Sequence, residues 1–285
     1  MMNSRTNRLN WAAGKVINLH YTDICNYRCR FCHSRFGTTP LRFEDWERII
    51  ANIVESAPVK RFNLAGGEPM AAPYVQKMID CIHALGIDCS IITNGSLLTP
   101  DFIRRNAGRL SMIGISMDAF CKEDNIRLGR VDGAGRTLAT ERLAELADCI
   151  HSAGMRLKIN TVVNAVNVNR DFSPVIRKIQ PDRWKLLRVL HFDHINDSAD
   201  DLMISDRQFQ DFVARHTDLN PVVENTEDIV SAYIVINPVG RLIDNSSGTM
   251  RAGESLLDHS FADEFRKIAF NEAAYAKRYY CTGHR

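Results

Sequence analysis

The chain has 285 residues, of which 45% are hydrophobic and 25% are charged, and its net charge is +2. These values suit a globular protein of one large domain or two small ones, and they give no general attraction to nucleic acid. No apolar run approaches the ~20 residues of a membrane span, and residues 1–10 lack the apolar core of a signal peptide.

Strand-like and helix-like segments alternate through the first two thirds of the chain. Apolar residues at helical spacing predict helices over 43–55, 74–85 and 137–153. The predicted strands cover 15–21, 61–65, 89–93, 112–117, 156–163 and 183–190. Strands that alternate with helices indicate βαβ units and a parallel sheet, which is an α/β fold. Six units are too few for a closed eight-stranded barrel, so we predict a partial (β/α)6 barrel.

The last third of the chain has a different pattern. Residues 191–199 predict a loop, residues 206–216 a helix with Asp206 near its N-cap, and residues 233–243 a hairpin that turns at 237–240. The tail beyond Glu254 is weakly helical. We therefore divide the chain into a polar N-terminal segment (1–14), a partial-barrel core (15–200) and a C-terminal extension (201–285) that covers the mouth of the barrel.

Three of the eight cysteines lie within eight residues, directly after the first predicted strand. Cys25, Cys29 and Cys32 have the spacing CxxxCxxC, and thiolates this close together bind one soft metal centre. Three protein ligands leave one position open for a small molecule, whereas a structural metal site is closed. The spacing leaves two alternatives open, a zinc knuckle with His33 as the fourth ligand and a set of reduced, unligated thiols.

The other cysteines show no ligand spacing. Cys81, Cys89, Cys121 and Cys149 are interpreted as small buried residues, and Cys281 stands alone in the tail. Eight cysteines in 285 residues do not make a disulfide framework, and a labile iron–sulfur site needs a reducing compartment. We therefore expect a cytoplasmic protein.

Two motifs of the chain resemble those of the radical S-adenosylmethionine (SAM) enzymes. They are CxxxCxFC after the first strand and Gly66-Gly67-Glu68-Pro69 after the second. In that family the cysteines ligate a [4Fe–4S] cluster, the open iron takes the amino and carboxylate groups of SAM, and the Gly-Gly-Glu segment helps to hold the amino group. The resemblance implies both cofactors here. The SAM-binding residues that it implies are Tyr27, Phe31, Gly66, Gly67, Glu68, Asn94, Ser116 and Arg130.

Longer stretches are similar to the viperin family, among them 25–29, 63–69, 93–97, 114–120 and 158–160. Viperins bind a nucleoside triphosphate beside SAM, and a 5′-deoxyadenosyl radical removes the 4′ hydrogen of the ribose. Loss of the 3′-hydroxyl as water and gain of one electron give a 3′-deoxy-3′,4′-didehydro nucleotide, which terminates viral RNA chains. The resemblance therefore implies an antiviral nucleotide synthase, with CTP favoured and UTP or GTP as the other possible substrates.

The resemblance also implies partners. Vertebrate viperins carry an N-terminal amphipathic helix that anchors them to membranes, whereas this sequence begins almost at the catalytic region. We expect a prokaryotic type of viperin that is monomeric and binds neither membrane nor nucleic acid. A reductant such as flavodoxin or ferredoxin would supply electrons.

Binding of a triphosphate needs several cations in one place. Basic residues at or near the predicted strand ends are expected to face the same mouth of the barrel. The nucleotide-binding residues that the resemblance implies are Asn18, Arg61, Lys158, Asn160, Arg183, Lys185 and Arg241. Tyr233 matches a viperin tyrosine near the substrate and is the candidate catalytic residue, with a role in positioning or in late hydrogen donation.

Two other functions are compatible with some of these features. A radical SAM enzyme of the nucleotide-cyclase or peptide-modifying type is one, but those with an auxiliary cluster need further cysteines, and only Cys281 follows Cys149. A zinc-knuckle binding module without catalysis is the other, and it leaves the six βα units and the Gly-Gly-Glu-Pro turn unexplained.

Overall fold

A computed structural model describes residues 8–34, 37–191, 195–225, 230–246 and 250–279. The described strands form one sheet in the order β10-β9-β8-β1-β2-β3-β4-β5-β6-β7, which is not closed. Neighbours from β8 through β1 to β7 are parallel, whereas β8–β9 and β9–β10 are antiparallel. The strands are β1 (Lys15–Thr22), β2 (Val59–Gly66), β3 (Asp88–Thr93), β4 (Met112–Ser116), β5 (Arg156–Val163), β6 (Arg183–Arg188), β7 (Val222–Glu224), β8 (Val235–Ile236), β9 (Arg241–Asp244) and β10 (Arg251–Ser255).

The described helices are α1 (Phe43–Ser56), α2 (Val75–Ala84), α3 (Pro100–Arg105), α4 (Lys122–Arg127), α5 (Thr140–Ser152), α6 (Ser173–Ile179), α7 (Asp206–Arg215), α8 (Phe261–Lys267) and α9 (Glu272–Tyr279). Helices α1–α7 lie in the connections between the parallel strands, and α8 and α9 follow the last strand. Short 3-10 helices span Pro69–Ala71, Asp197–Leu202 and Thr217–Leu219. No helix in the described ranges is both long and apolar enough to cross a membrane.

These elements confirm the predicted α/β order, and the differences are at the ends. All six predicted strands are present, and the helix predicted over 137–153 begins at Thr140. The N-cap of α7 is Ser205 rather than Asp206, because Ser205 and Gln208 form a reciprocal capping box. The predicted hairpin is also confirmed, since Asn237 accepts from Gly240 N at 2.9 Å in the turn between β8 and β9.

The two faces of the sheet differ in polarity because side chains alternate along each strand. On β1 the apolar residues Ile17 and Leu19 are fully buried in the core with Ile49 and Ile50 of α1. The alternate residues face the inside of the barrel, where polar side chains join neighbouring strands. There Asn63 Nδ2 donates to Asn18 Oδ1 at 2.9 Å, and Ser90 Oγ donates to Asn63 Oδ1 at 2.9 Å.

The C-terminal extension adds to both sides of the core sheet. Strand β7 pairs with β6, and β8 pairs with β1. Helix α9 packs at the start of β1, where Val16 N donates to Tyr275 Oη at 2.6 Å and Lys15 pairs with Glu272. Helix α9 therefore lies at the opposite end of β1 from the cysteines, and cover of the mouth by the extension stays a prediction.

The loop that follows β1 carries the three cysteines and is held from two sides. From β2, Gly67 N and Glu68 N donate to Thr22 O and Ile24 O, each at 2.7 Å. On the other side, Arg28 N donates to Gly129 O at 3.2 Å, and Arg30 N donates to Leu128 O at 3.0 Å. These backbone contacts fix the loop independently of any side chain.

Close backbone approach explains why glycine occupies these positions. A Cβ on Gly66 or Gly67 would lie 2.2 Å from Thr22 O or 2.3 Å from Ile24 O. A Cβ on Gly129 would lie 2.2 Å from Arg28 O. In this structure the three glycines therefore allow close contact with the cysteine loop.

Substitution of Gly129 by alanine tests this contact. Gly129 and Gly135 both have left-handed backbone angles, with φ of 70° and 71°, but a Cβ on Gly135 meets nothing within 4 Å. G135A should cost only about 1–2 kcal/mol of unfolding free energy for the left-handed conformation. G129A should cost clearly more and reduce iron bound per chain, because the loop must move. Urea unfolding and iron analysis measure both effects, and equal costs would contradict this reading.

Candidate active site

Each of the three predicted ligand sulfurs accepts an N–H hydrogen bond. Tyr27 N donates to Cys25 Sγ at 3.4 Å, and Ser34 N donates to Cys32 Sγ at 3.4 Å. Arg130 Nη1 lies 3.8 Å from Cys29 Sγ, which is within hydrogen-bonding range for sulfur. N–H donors of this kind stabilise thiolate ligands of iron–sulfur clusters. The donor set and its surroundings therefore fit a [4Fe–4S] cluster.

The ligand role of the three thiols stays a prediction. In the described ranges no group of three or more His, Cys, Asp or Glu side chains has a metal-binding arrangement. Burial raises the pKa of the Cys29 thiol to about 12, partly offset by Arg130, so metal binding has to displace a proton. The ring of His33 lies 6.4 Å from that of His20, and burial lowers the pKa of His33.

A buried ion pair supports the cysteine loop from β4. Arg130 Nη1 lies 2.8 Å from Asp118 Oδ2, and Arg130 Nη2 donates to Ser116 O at 2.6 Å. Both side chains are almost fully buried, with 6% and 3% exposure. Asp118 Oδ1 also accepts from Val162 N at 2.6 Å, which ties the pair to β5. Asp118 thus holds the guanidinium next to Cys29.

The carboxylate of Glu68 is fully buried at the end of β2. Its oxygens accept from Met70 N at 3.0 Å, Thr93 Oγ1 at 2.6 Å and Asn94 N at 2.6 Å. Burial raises the pKa of this carboxyl, and these three donors oppose the rise. Glu68 therefore joins the ends of β2 and β3, and contact with the SAM amino group stays a prediction.

The other predicted SAM residues lie around the same loop. Asn94 Nδ2 donates to Asn26 Oδ1 at 2.9 Å, which links the end of β3 to the cysteine loop. Tyr27 is buried, and its ring lies 5.8 Å from the guanidinium carbon of Arg130. Phe31 packs between the main core and a small cluster with Leu202. The structure thus brings this predicted set together at the carboxyl ends of β1–β4.

A second centre lies on β5 and β6, on the inward face of the sheet. Four cations interact with one carboxylate, Glu224 at the end of β7. The cations are Lys158, Arg183, Lys185 and Arg278. Glu224 Oε2 pairs with Lys185, lies 3.0 Å from Arg278 Nη2 and accepts from Tyr233 Oη at 2.9 Å.

Burial makes this cluster electrostatically unfavourable without an anion. Burial, together with the nearby Arg183, lowers the pKa of Lys158 to about 8. Burial likewise lowers the pKa of Lys185, although Glu224 opposes the change. Buried like charges favour a polyanion that would neutralise them. The cluster therefore fits several phosphate groups.

Three predicted nucleotide residues are engaged elsewhere. Both ends of the Asn18 amide are used, because Nδ2 donates to Ile234 O at 3.0 Å and Oδ1 accepts from Asn63. Arg61 pairs with Asp88 at 2.6 Å. Arg241 donates to Gly253 O at 3.0 Å and is 41% exposed. Their contacts with nucleotide stay predictions.

The prediction that all the basic residues face the same mouth of the barrel is wrong. Arg61 and Lys158 are each the third residue of their strand, and Arg183 is the first residue of β6. They therefore lie toward the amino ends of the strands, whereas Arg130 lies at the carboxyl ends beside the cysteines. The sequence places residues along a strand, but it does not show which end of a strand a ligand uses.

Sequence analysis missed three charged residues of these centres. Asp118 follows the predicted strand 112–117, and an acidic residue at that place is a usable signal. Glu224 follows a short strand of two valines, and Arg278 lies in a weakly helical tail. Only the tertiary structure brings Arg278 to the ring of Tyr233, with its guanidinium carbon 3.6 Å from the ring centre.

Comparison with known proteins gives consistent results. A model described as the radical SAM superfamily matches residues 19–179. A protein of Thermoplasmatales archaeon (strain ISO4-H5) named S-adenosylmethionine-dependent nucleotide dehydratase is 37% identical over 227 residues, covering 79% of this chain and 80% of that protein. A protein of the same name from Lacinutrix mariniflava is 32% identical over 264 residues, covering 90% of this chain. The chain spans 56% of that second relative's length.

A solved structure shows the same fold. Streptococcus suis SuiB bound to S-adenosylmethionine has a TM-score of 0.69 and 15% identity, covering 96% of this chain and 69% of SuiB. At this identity the likeness concerns the fold alone. It confirms the predicted α/β partial barrel of the radical SAM type.

Loss of the buried Arg130–Asp118 pair should cost much more than loss of an exposed pair. R130Q leaves Asp118 buried without its cation, so we expect a loss of about 3–5 kcal/mol in unfolding free energy. The control is R104Q, because Arg104 and its partner Asp101 are 64% and 84% exposed. That change should cost about 0–1 kcal/mol. Urea unfolding of the reduced apoprotein measures both, and similar losses would show that Asp118 does not depend on Arg130.

Proposed function

Because the chain belongs to the radical SAM superfamily, and within it to the S-adenosylmethionine-dependent nucleotide dehydratases, we propose that it removes water from a nucleoside triphosphate. The product is the 3′-deoxy-3′,4′-didehydro nucleotide, with CTP the favoured substrate and UTP or GTP the alternatives. The observation that carries the proposal is a cluster of four cations, of which Lys185 and Arg278 are buried and Lys158 and Arg183 half-buried, on the sheet whose carboxyl end bears the cysteine loop.

The superfamily uses a [4Fe–4S] cluster and SAM, and the residues present fit both. Cys25, Cys29 and Cys32 hold the cluster, and Arg130 and the backbone of the loop donate to their sulfurs. When bound, the two cofactors supply a radical that removes one hydrogen atom from the substrate. The role of the chain is to place the ribose between this loop and the cations.

Strand register gives the substrate an orientation. Lys158 pairs with Arg183 across β5 and β6. Asn160 pairs with Lys185, two residues closer to the carboxyl ends of these strands. Phosphates at these cations leave the ribose on the side that faces the cysteine loop. This order supports transfer of the 4′ hydrogen toward the cofactors, because the reacting atom must lie on their side.

The reaction balances with one proton and one electron. The 4′ carbon loses a hydrogen atom, the 3′-hydroxyl takes up a proton and leaves as water, and one electron completes the product. Tyr233 is the proposed catalytic residue, since its hydroxyl lies between Lys185 and Glu224. A reductant such as flavodoxin or ferredoxin in the cytoplasm would supply the electron.

The product would act against viruses through its chemistry. A nucleotide without a 3′-hydroxyl cannot be extended by a polymerase, so its incorporation ends the growing RNA. This antiviral role is part of the proposal and depends on the product being made.

The direct test is anaerobic turnover with separate nucleotides. Protein with a verified [4Fe–4S] cluster is given SAM, dithionite and CTP, UTP, GTP or ATP in separate reactions. We expect 5′-deoxyadenosine to rise with one triphosphate and a product lighter by one water. Slow SAM cleavage unaffected by all four nucleotides would reject the nucleotide substrate. Absence of 5′-deoxyadenosine would reject radical SAM activity.

Nucleotide affinity should fall as the pH rises through about 8. The pKa of Lys158 is about 8 in the free protein, so above that pH the lysine loses its charge and its attraction to phosphate. The loss should approach about tenfold in dissociation constant by pH 9, as expected for one charged hydrogen bond. Calorimetric titration of the SAM-loaded holoenzyme without reductant measures it.

The matched control is K158R, because arginine stays charged throughout this pH range. Its nucleotide affinity should be flat between pH 7.5 and 9 on the same buffers. An equal decline in K158R would assign the pH dependence to another group.

A further inference from the structure

The two oxygens of Glu224 have different surroundings. Oε2 interacts with Lys185, Tyr233 and Arg278, whereas Oε1 is buried and has no hydrogen-bond partner among the described residues. The residue is only 4% exposed. A buried carboxylate oxygen without a donor is costly, so its retention points to a donor from a ligand.

A second acceptor lies nearby on the same inward face. Asn160 Oδ1 is also buried without a hydrogen-bond partner in the described part of the chain. Asn160 pairs with Lys185 across β5 and β6, and Glu224 pairs with Leu187 across β6 and β7. The two acceptors are therefore two residues apart along β6, on neighbouring sides of it.

Along the strands these acceptors lie between the Lys158–Arg183 pair and the cysteines, and the Glu224 carboxylate also contacts Lys185 and Arg278. Counted along the strands, Glu224 is four residues beyond the Lys158–Arg183 pair, or about 13 Å toward the carboxyl ends. Phosphate oxygens would be repelled by Glu224 and attracted by the cations. The part of a nucleotide that faces Glu224 must therefore carry O–H or N–H donors, and the ribose hydroxyls follow next after the phosphates.

The chemistry selects one of the two hydroxyls. In the proposed reaction the 3′-hydroxyl leaves as water, which requires that it receive a proton. A carboxylate that accepts from this hydroxyl would make its departure harder. The 2′-hydroxyl keeps its oxygen throughout the reaction, so it can donate to a carboxylate without this penalty.

We propose that Glu224 determines specificity for ribonucleotides, because its Oε1 accepts a hydrogen bond from the 2′-hydroxyl of the substrate ribose. Its Oε2 stays with Lys185, Tyr233 and Arg278 and keeps the carboxylate in place. This inference rests on the proposed nucleotide substrate. A site built around a buried acceptor rejects a ligand without the matching donor.

Analogues test the need for a donor in the wild-type protein. The nucleotide that binds best among CTP, UTP, GTP and ATP is compared with its 2′-amino, 2′-deoxy and 2′-fluoro forms. Calorimetry on the SAM-loaded holoenzyme without reductant measures binding without turnover. We expect the 2′-amino form to bind within about threefold of the parent and the 2′-deoxy form about 10- to 100-fold more weakly. The 2′-fluoro form, which cannot donate, should bind no better than the 2′-deoxy form.

Two variants then test whether the weaker binding of the 2′-deoxy nucleotide is due to Glu224. In E224Q the ratio of the 2′-deoxy to the parent dissociation constant should fall to about a fifth of the wild-type ratio or less, because a neutral amide oxygen is a weaker acceptor than a carboxylate. The control is D88N, which removes the carboxylate paired with Arg61 on the same sheet. D88N should keep the wild-type ratio. Both variants should bind inorganic triphosphate more tightly, since each loses one negative charge near the cations.

The outcomes separate this inference from the proposed function. Binding of a parent nucleotide together with equal binding of its 2′-deoxy form would overturn the inference and leave the function standing. A wild-type ratio retained in E224Q would also overturn it. Failure of every nucleotide to bind would overturn both. If E224Q does not fold, as judged by circular dichroism, the analogue series on the wild-type protein decides.

Discussion

The inward face of the sheet carries a surplus of positive charge. This surplus is the constraint to which the surrounding elements are fitted. Four cations interact with the carboxylate of Glu224, and burial lowers the pKa of both lysines among them. Fold stability alone does not favour such a cluster, because desolvated like charges repel. The surrounding β5, β6, β7 and α9 hold these groups together at some cost in stability, and binding of a polyanion would offset that cost.

The cysteine loop has the opposite character, because it is held by backbone contacts. Four backbone N–H donors join it to the end of β2 and to the turn at Leu128–Gly129. The ion pair of Arg130 and Asp118 adds one donor to Cys29. A loop fixed in this way keeps its course while the thiols exchange protons for metal. The two centres thus differ in position and chemistry. The cation cluster lies toward the amino ends of the strands, and the predicted thiolate ligands lie at the carboxyl ends.

The sequence predicts the fold and the cysteine site better than it predicts the cation cluster. Periodicity predicts all six core strands, and the local spacing of Cys25, Cys29 and Cys32 is enough to predict a ligand set, which stays a prediction. The cluster combines Lys158, Glu224 and Arg278, which are separated by more than fifty residues, so no local pattern could join them. Arg61 shows the converse error, because its positive charge is visible in the sequence but its pairing with Asp88 is not.

The gap between β7 and β8 gives the barrel an unusual mechanical property. These strands lie on opposite sides of the sheet order and are joined by Tyr233, Glu224 and Arg278 rather than by a backbone ladder. Because Glu224 and Arg278 are buried, dissolved salt screens this joint little, whereas a charge placed directly beside it acts strongly. A bound polyanion would therefore change the strength of this joint. The barrel wall is a backbone ladder of eight parallel strands, β8 and β1–β7, with one charge-operated joint.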